Sequence, residues 1–136
     1  SQDYLSDPRV YYCPSHTGEN EFESYAGRFA GSTGDIIANY QYRGEGPDGQ
    51  QRLDLIVDTA ALVSDGFREV SDINHRSGMN VLRAGMSVNW FHDNGSFYDT
   101  ALMLGEDGSD GNPNWDDGWS ILDKPSEPVG GFWFFR

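Results

Sequence analysis

The residues best suited to chemistry lie in an acidic stretch toward the C-terminal end. Asp93, Asp99, Glu106, Asp107, Asp110, Asp116, Asp117 and Asp123 follow one another with no Lys or Arg between the first and the last. The densest part, 104–119, interleaves them with Asn112, Asn114 and several glycines. Carboxylate and amide oxygens are hard donors, and glycines allow the tight backbone that wraps a calcium ion. Crowded carboxylates also repel one another, a cost that a divalent cation relieves. Asp110, Asn112 and Asn114 have the alternate spacing that opens an EF-hand loop. Trp115 stands at that loop's turn glycine and Ile121 at its bidentate glutamate, so this is not an EF-hand. A solvated acidic loop is the plainer account of the same residues. The adjacent pair Asp116 and Asp117 does not specify a hydrolase, since neighbours on a strand point apart and no acid–base separation follows from sequence.

Two smaller polar sets complete the inventory. Cys13 and His16 are spaced Cys-x-x-His, but they offer two ligands where a structural zinc takes four, so a packed or free thiol is expected. Cys13 is the sole cysteine, which excludes an intramolecular disulfide. Asp65 closes one apolar run, and Asn74 and His75 precede the next. With no nucleophile, base and orienter close by in sequence, these three are expected to form a hydrogen-bonded latch and not a catalytic centre.

The elements that must position these groups read as mostly β. Met79–Ala84 and Ser87–Phe91 flank Gly85-Met86, and glycine at the first central position suits a type II′ hairpin turn. Pairing Ala84 with Ser87 sets Arg83 opposite Val88, Leu82 opposite Asn89 and Val81 opposite Trp90, so Met79, Val81, Val88 and Trp90 share an apolar face. Ala61–Gly66 reads as a buried strand ending in a turn, Ile36–Arg43 as an alternating strand, and Gly44–Gly49 as a turn. Arg9–Cys13 is a short strand candidate stopped by Pro14. The segment 17–35 shows no sustained helical period and reads as a surface connection. Leu53–Asp58 fits a short helix or a strand equally. The tail, Val129–Arg136, reads as a strand with aromatics on both faces.

A chain of 136 residues fits one domain, 1–136, with a core of its own. Its net charge of −13 repels polyanions, which argues against nucleic acid and anionic membrane surfaces as ligands. No run approaches the length of a membrane span.

Several stretches together resemble a known family. His75, Gly78, Asn80, Val81, Leu82, Ala84 and Val88 fall on the matching positions of a His-x-Gly-Gly-x-Asn-Val-Leu-Phe-Ala-Asp-Gly-x-Val core. That core marks a large bacterial family of type IV pilin-like, pseudopilin-like proteins, recognised by a histidine, nine residues, then Asp-Gly. Tyr12-Cys13-Pro14-Ser15, Tyr40–Arg43 and Leu62–Asp65 resemble the family's order of elements. The Asp-Gly turn is Gly85-Met86 here, so the turn is retained without the aspartate side chain. Tyr98–Trp119 also resembles the calcium-binding C-terminal loop of type II secretion major pseudopilins. By position this implies Asp107, Asp116, Asp117 and the Leu104 carbonyl as calcium ligands, with Asp110 and Asn112 added from their chemistry.

The resemblance implies an α+β pilin-like fold: an antiparallel sheet domain, with a hydrophobic N-terminal helix expected upstream of Ser1. Leu82 and Phe91, opposite Trp90, are where that helix would pack. It further implies a non-enzymatic structural subunit of a pilus or pseudopilus-like secretion filament, partnered by other pilin-like subunits in a homo- or hetero-polymer. The precursor would be anchored in the inner membrane by that helix alone, with the domain on the periplasmic or extracellular side of the cell envelope. The rival from another class is an extracellular carbohydrate-binding β-module, motivated by 14% aromatic residues and four Trp. It expects Trp115, Trp119 or Trp133 exposed as a flat platform.

Overall fold

Strand formation starts where β-branched and apolar residues alternate, and among the described residues it yields four antiparallel strands whose order in the sheet follows the chain. The computed structural model describes residues 7–17, 20–31, 33–67, 73–75, 77–93, 97 and 113–125. Within them lie β1 (Tyr40–Tyr42), β2 (Ala61–Asp65), β3 (Gly78–Arg83) and β4 (Val88–His92), with helices α1 (Phe22–Phe29) and α2 (Pro113–Leu122). The described residues are therefore α+β, as expected. The tail, 129–136, lies outside them.

One face of the sheet carries the core. Ala61, Met79, Val81 and Phe91 pack with Phe67, Phe97 and the α2 residues Trp119 and Leu122 in a single cluster. Phe67 meets Phe97 and Trp119 edge-on at 5.2 and 5.3 Å between ring centroids, the geometry that aromatic quadrupoles favour. A second, aromatic cluster holds the N-terminal segment. Tyr12 lies 5.4 Å from Phe22 and 6.3 Å from Phe29, both on α1, and Tyr11 stacks on Phe29 at 6.1 Å.

Three local assignments differ from expectation. Arg9–Cys13 is not a strand: Pro8–Tyr11 is a 3-10 helix, with Asp7 as N-cap accepting from the Arg9 backbone N–H at 2.9 Å and Pro8 at its start. Asp-Pro before a short apolar run is a helix-start signal, and it outweighs the β propensity of Val10-Tyr11-Tyr12. The segment 17–35 contains α1, whose Phe22, Tyr25 and Phe29 fall at i, i+3 and i+7 on the face that meets Tyr12. Pro113–Leu122 is helix where an acidic loop was expected. Two others are shorter than or settled from the sequence reading: strand β1 is confined to Tyr40–Tyr42, and Leu53–Leu55 forms a 3-10 turn.

The hairpin exists, but in a different register. Leu82 pairs with Val88, Val81 with Asn89, Asn80 with Trp90 and Met79 with Phe91. The connection is a three-residue loop, Ala84–Met86, because the Met86 N–H donates to the Arg83 carbonyl and the Arg83 N–H to the Ser87 carbonyl, each at 2.9 Å. The positive φ, 60°, falls on Met86 and not on Gly85. This is the turn followed by a left-handed residue that three-residue hairpin loops use. A one-residue shift exchanges the faces of β4 relative to β3. Phe91 therefore joins the core, while Val88 and Trp90 are 65% and 42% exposed. Leu82 shares the outer face with Val88, so Leu82 and Phe91 do not form a common layer. The core explains the choice, since Arg83 is buried and donates to the Leu122 and Lys124 carbonyls at the end of α2, which fixes the inward set of β3 as Met79, Val81 and Arg83.

Candidate functional site

The end of the sheet where β2 stops and β3 begins gathers polar groups from distant parts of the chain. Asp65 is the last residue of β2, and its carboxylate is 3% exposed. Its Oδ2 accepts from the Asn80 backbone N–H at 2.7 Å and from Asn80 Nδ2 at 3.2 Å, which fixes the carboxylate's direction. His75, just before β3, places Nε2 at 3.5 Å from the same Oδ2 and at 3.6 Å from Cys13 Sγ. The Trp90 ring meets the His75 ring edge-on at 5.4 Å and limits its rotation. The Cys13, Asp65 and His75 donor atoms all lie within 4.8 Å of one another.

Cys13 reaches this position because of the N-terminal elements. The 3-10 turn at Pro8–Tyr11 and the Tyr12–α1 aromatic contacts set the segment, and the Asn39 N–H donates to the Tyr11 carbonyl at 3.2 Å, joining it to the approach to β1. Burial pushes the Cys13 thiol above its ordinary value of 9.0. Hydrogen bonding from the Ser15 backbone N–H opposes this, Asp65 adds to it, and the Ser15 side chain and the His16 backbone N–H oppose it again. Burial likewise raises Tyr40, with Cys13 and Asp65 adding to the effect.

Beside Cys13 opens a cavity of about 320 Å³, which Tyr12, His16 and Asn39 also line. Tyr12 Oη, His16 Nε2 and Asn39 Oδ1 are buried without a hydrogen-bond partner among the described residues. Buried polar atoms left without partners are costly. The other nitrogen of His16, Nδ1, is 2.6 Å from Asn74 Oδ1.

The expected latch is thus only partly as drawn. Asp65 and His75 meet, while Asn74 turns to His16. What sequence reasoning missed is the arrival of Cys13, since 52 residues separate it from Asp65 and no local spacing announces the contact. This trio is not a relay for nucleophilic catalysis. A Cys-His-Asp relay uses both ring nitrogens, one for the thiol and one for the carboxylate, whereas here sulfur and carboxylate face the same Nε2.

The acidic stretch does not act as one unit among the described residues. Asp93 is buried and accepts from the Phe97 N–H at 3.0 Å, and Asp123 pairs with Arg43 at 2.9 Å. Asp116 and Asp117 are exposed near the start of α2. Leu104, Asp107, Asp110 and Asn112 lie outside the described residues. Trp119 is 5% exposed within the core, so it cannot belong to a flat sugar-binding platform. Among the described residues no helix is long and apolar enough to cross a membrane. Set against protein-family models, curated proteins and solved structures, the chain matches none, and its function has to be argued from its own residues.

Proposed function

We propose that the chain is a non-enzymatic assembly subunit of a pilin- or pseudopilin-like filament in the cell envelope, packing against other copies or related subunits. The observation that carries this reading is the outer face of the sheet. Tyr42, Val63, Leu82 and Val88 are successive cross-strand partners, forming one row that runs over all four strands. Tyr42 and Val88 are 69% and 65% exposed, and a groove of about 240 Å³ lies along Tyr40, Val63, Leu82 and Val88. Asp65 and Asn80 border one end of that groove, and an apolar row on the second face of an antiparallel sheet calls for a covering layer. The occupant proposed is the apolar N-terminal helix that the family resemblance implies, which would anchor the precursor in the inner membrane. Calcium is proposed in the acidic segment, held by the Leu104 carbonyl, Asp107, Asp110, Asn112, Asp116 and Asp117.

The test is assembly of the full-length gene product, with and without added calcium. Tyr42→Asp and Val88→Asp replace exposed side chains and should leave the melting temperature of the domain nearly unchanged while abolishing incorporation into filaments. Calcium added to chelator-treated protein should raise the melting temperature by mass action. Wild-type incorporation by both variants would sink the filament reading, and an unmoved melting temperature would remove calcium from it.

A further inference from the structure

We propose that Cys13, Asp65 and His75 form a zinc site that staples the N-terminal segment to the sheet. The donor set is a thiolate sulfur, an imidazole nitrogen and a carboxylate oxygen, which suits zinc and does not suit calcium, whose ligands are all oxygen. The spacing agrees. With zinc bonds of about 2.3 Å to sulfur and about 2.0–2.1 Å to nitrogen and oxygen, a tetrahedral site has a sulfur–nitrogen edge near ~3.6 Å and a nitrogen–oxygen edge near ~3.4 Å. The observed separations are 3.6 Å for Cys13 Sγ to His75 Nε2 and 3.5 Å for His75 Nε2 to Asp65 Oδ2.

Proton counting favours a cation as well. A single Nε2 faces both a sulfur and a carboxylate oxygen, and one hydrogen on that nitrogen cannot serve both at full strength. A metal would draw all three at once. The supporting contacts are also those a metal site needs. Asn80 donates twice to Asp65 Oδ2, and Trp90 abuts the His75 ring. Three protein ligands leave a fourth position, which water would fill from the cavity that Cys13 lines. In a domain with one cysteine, such a staple joins segments 52 and 62 residues apart, as a disulfide would elsewhere.

The experiment is a titration of the reduced, chelator-treated chain with cobalt(II), followed by displacement with zinc. The expected result is one cobalt per chain, with thiolate-to-cobalt charge transfer and the intense visible bands of tetrahedral coordination. Cys13→Ser should abolish the charge transfer, and Asp65→Asn and His75→Gln should each weaken binding at least tenfold, while His16→Gln should leave the spectrum unchanged. Absence of a cobalt–thiolate spectrum in the wild-type chain would overturn the site. So would loss of binding in His16→Gln with retention in His75→Gln, which would place the metal on the Cys-x-x-His pair instead. Should a ligand variant fail to fold, the wild-type chain still decides. Stoichiometric zinc should slow alkylation of Cys13 at least tenfold, and an unchanged rate refutes the proposal. None of these outcomes depends on filament assembly.

Discussion

Gly78 occupies the point where the hairpin and the polar cluster meet. Its φ is 155°, and a Cβ built there would lie 2.0 Å from the Phe91 carbonyl oxygen and 3.0 Å from Trp90 Cε2. A backbone oxygen cannot retreat as the end of a flexible side chain can, so β3 and β4 would have to separate at two pairs, Gly78 with His92 and Met79 with Phe91. Gly78→Ala should therefore lower unfolding stability by roughly 2 kcal/mol or more, above the ~1 kcal/mol centre of the usual distribution. Urea unfolding should show a reduced midpoint with the slope preserved. A midpoint equal to wild type would mean that the hairpin accepts a side chain here. Asp65 and His75 were legible at this scale because a charged and a titratable group bordering apolar runs need partners. Cys13 was not, because its approach to His75 depends on chain paths that no residue spacing records.

At the scale of elements, the strands were legible and the short helices were not. β2 and β3 are set by alternation and apolar runs, which a period of two reveals in five or six residues. By contrast, α1 has only eight residues and includes Gly27, so its period is read from a single repeat of its buried face. The hairpin register turned on one loop residue, and either a two- or a three-residue loop satisfies the same sequence. The contact between β1 and α2 was also invisible, because it is made by charges far apart in the chain. Arg43 Nη1 lies 2.9 Å from both Asp123 oxygens and its guanidinium sits 5.6 Å from the centre of the Trp119 ring, while Asp123 Oδ1 accepts from the Ala61 N–H at 2.8 Å. Removing the carboxylate strands a cation that is 11% exposed and a strand N–H together. Asp123→Ala should cost about 1–3 kcal/mol, below the value for a fully buried pair because Asp123 retains 21% exposure. Arg43→Met in the same background should recover part of this loss in thermal unfolding, as the double-mutant cycle requires of a coupled pair. A strictly additive pair of losses would show that the bridge does not hold β1 to α2.

For the whole molecule, the balance of buried ionisable groups fixes how stability changes at alkaline pH. Cys13 is raised above 9.0, and Tyr12 and Tyr40 above 10.0, with burial as the leading cause in each case. A group whose folded pKa exceeds its unfolded one binds more protons when folded, so folding is favoured fully below the unfolded value. That advantage is lost as pH rises through the folded value. Stability should therefore hold up to about pH 8 and fall between about pH 9 and 11, in the range where thiols and phenols titrate. The net charge of −13 grows more negative over the same range, and self-repulsion acts in the same direction. Salt separates the two contributions, since added electrolyte screens repulsion between exposed charges but does not reduce the cost of ionising a buried thiol or phenol. Denaturant unfolding across this pH range, in low and high salt, should show a loss that high salt only partly restores. In parallel, tyrosinate absorbance of the folded chain should develop later than that of the unfolded chain. Stability that stays level to pH 11, or a Cys13 thiol titrating at or below 9.0 in the metal-free chain, would contradict the burial on which the N-terminal cluster is built.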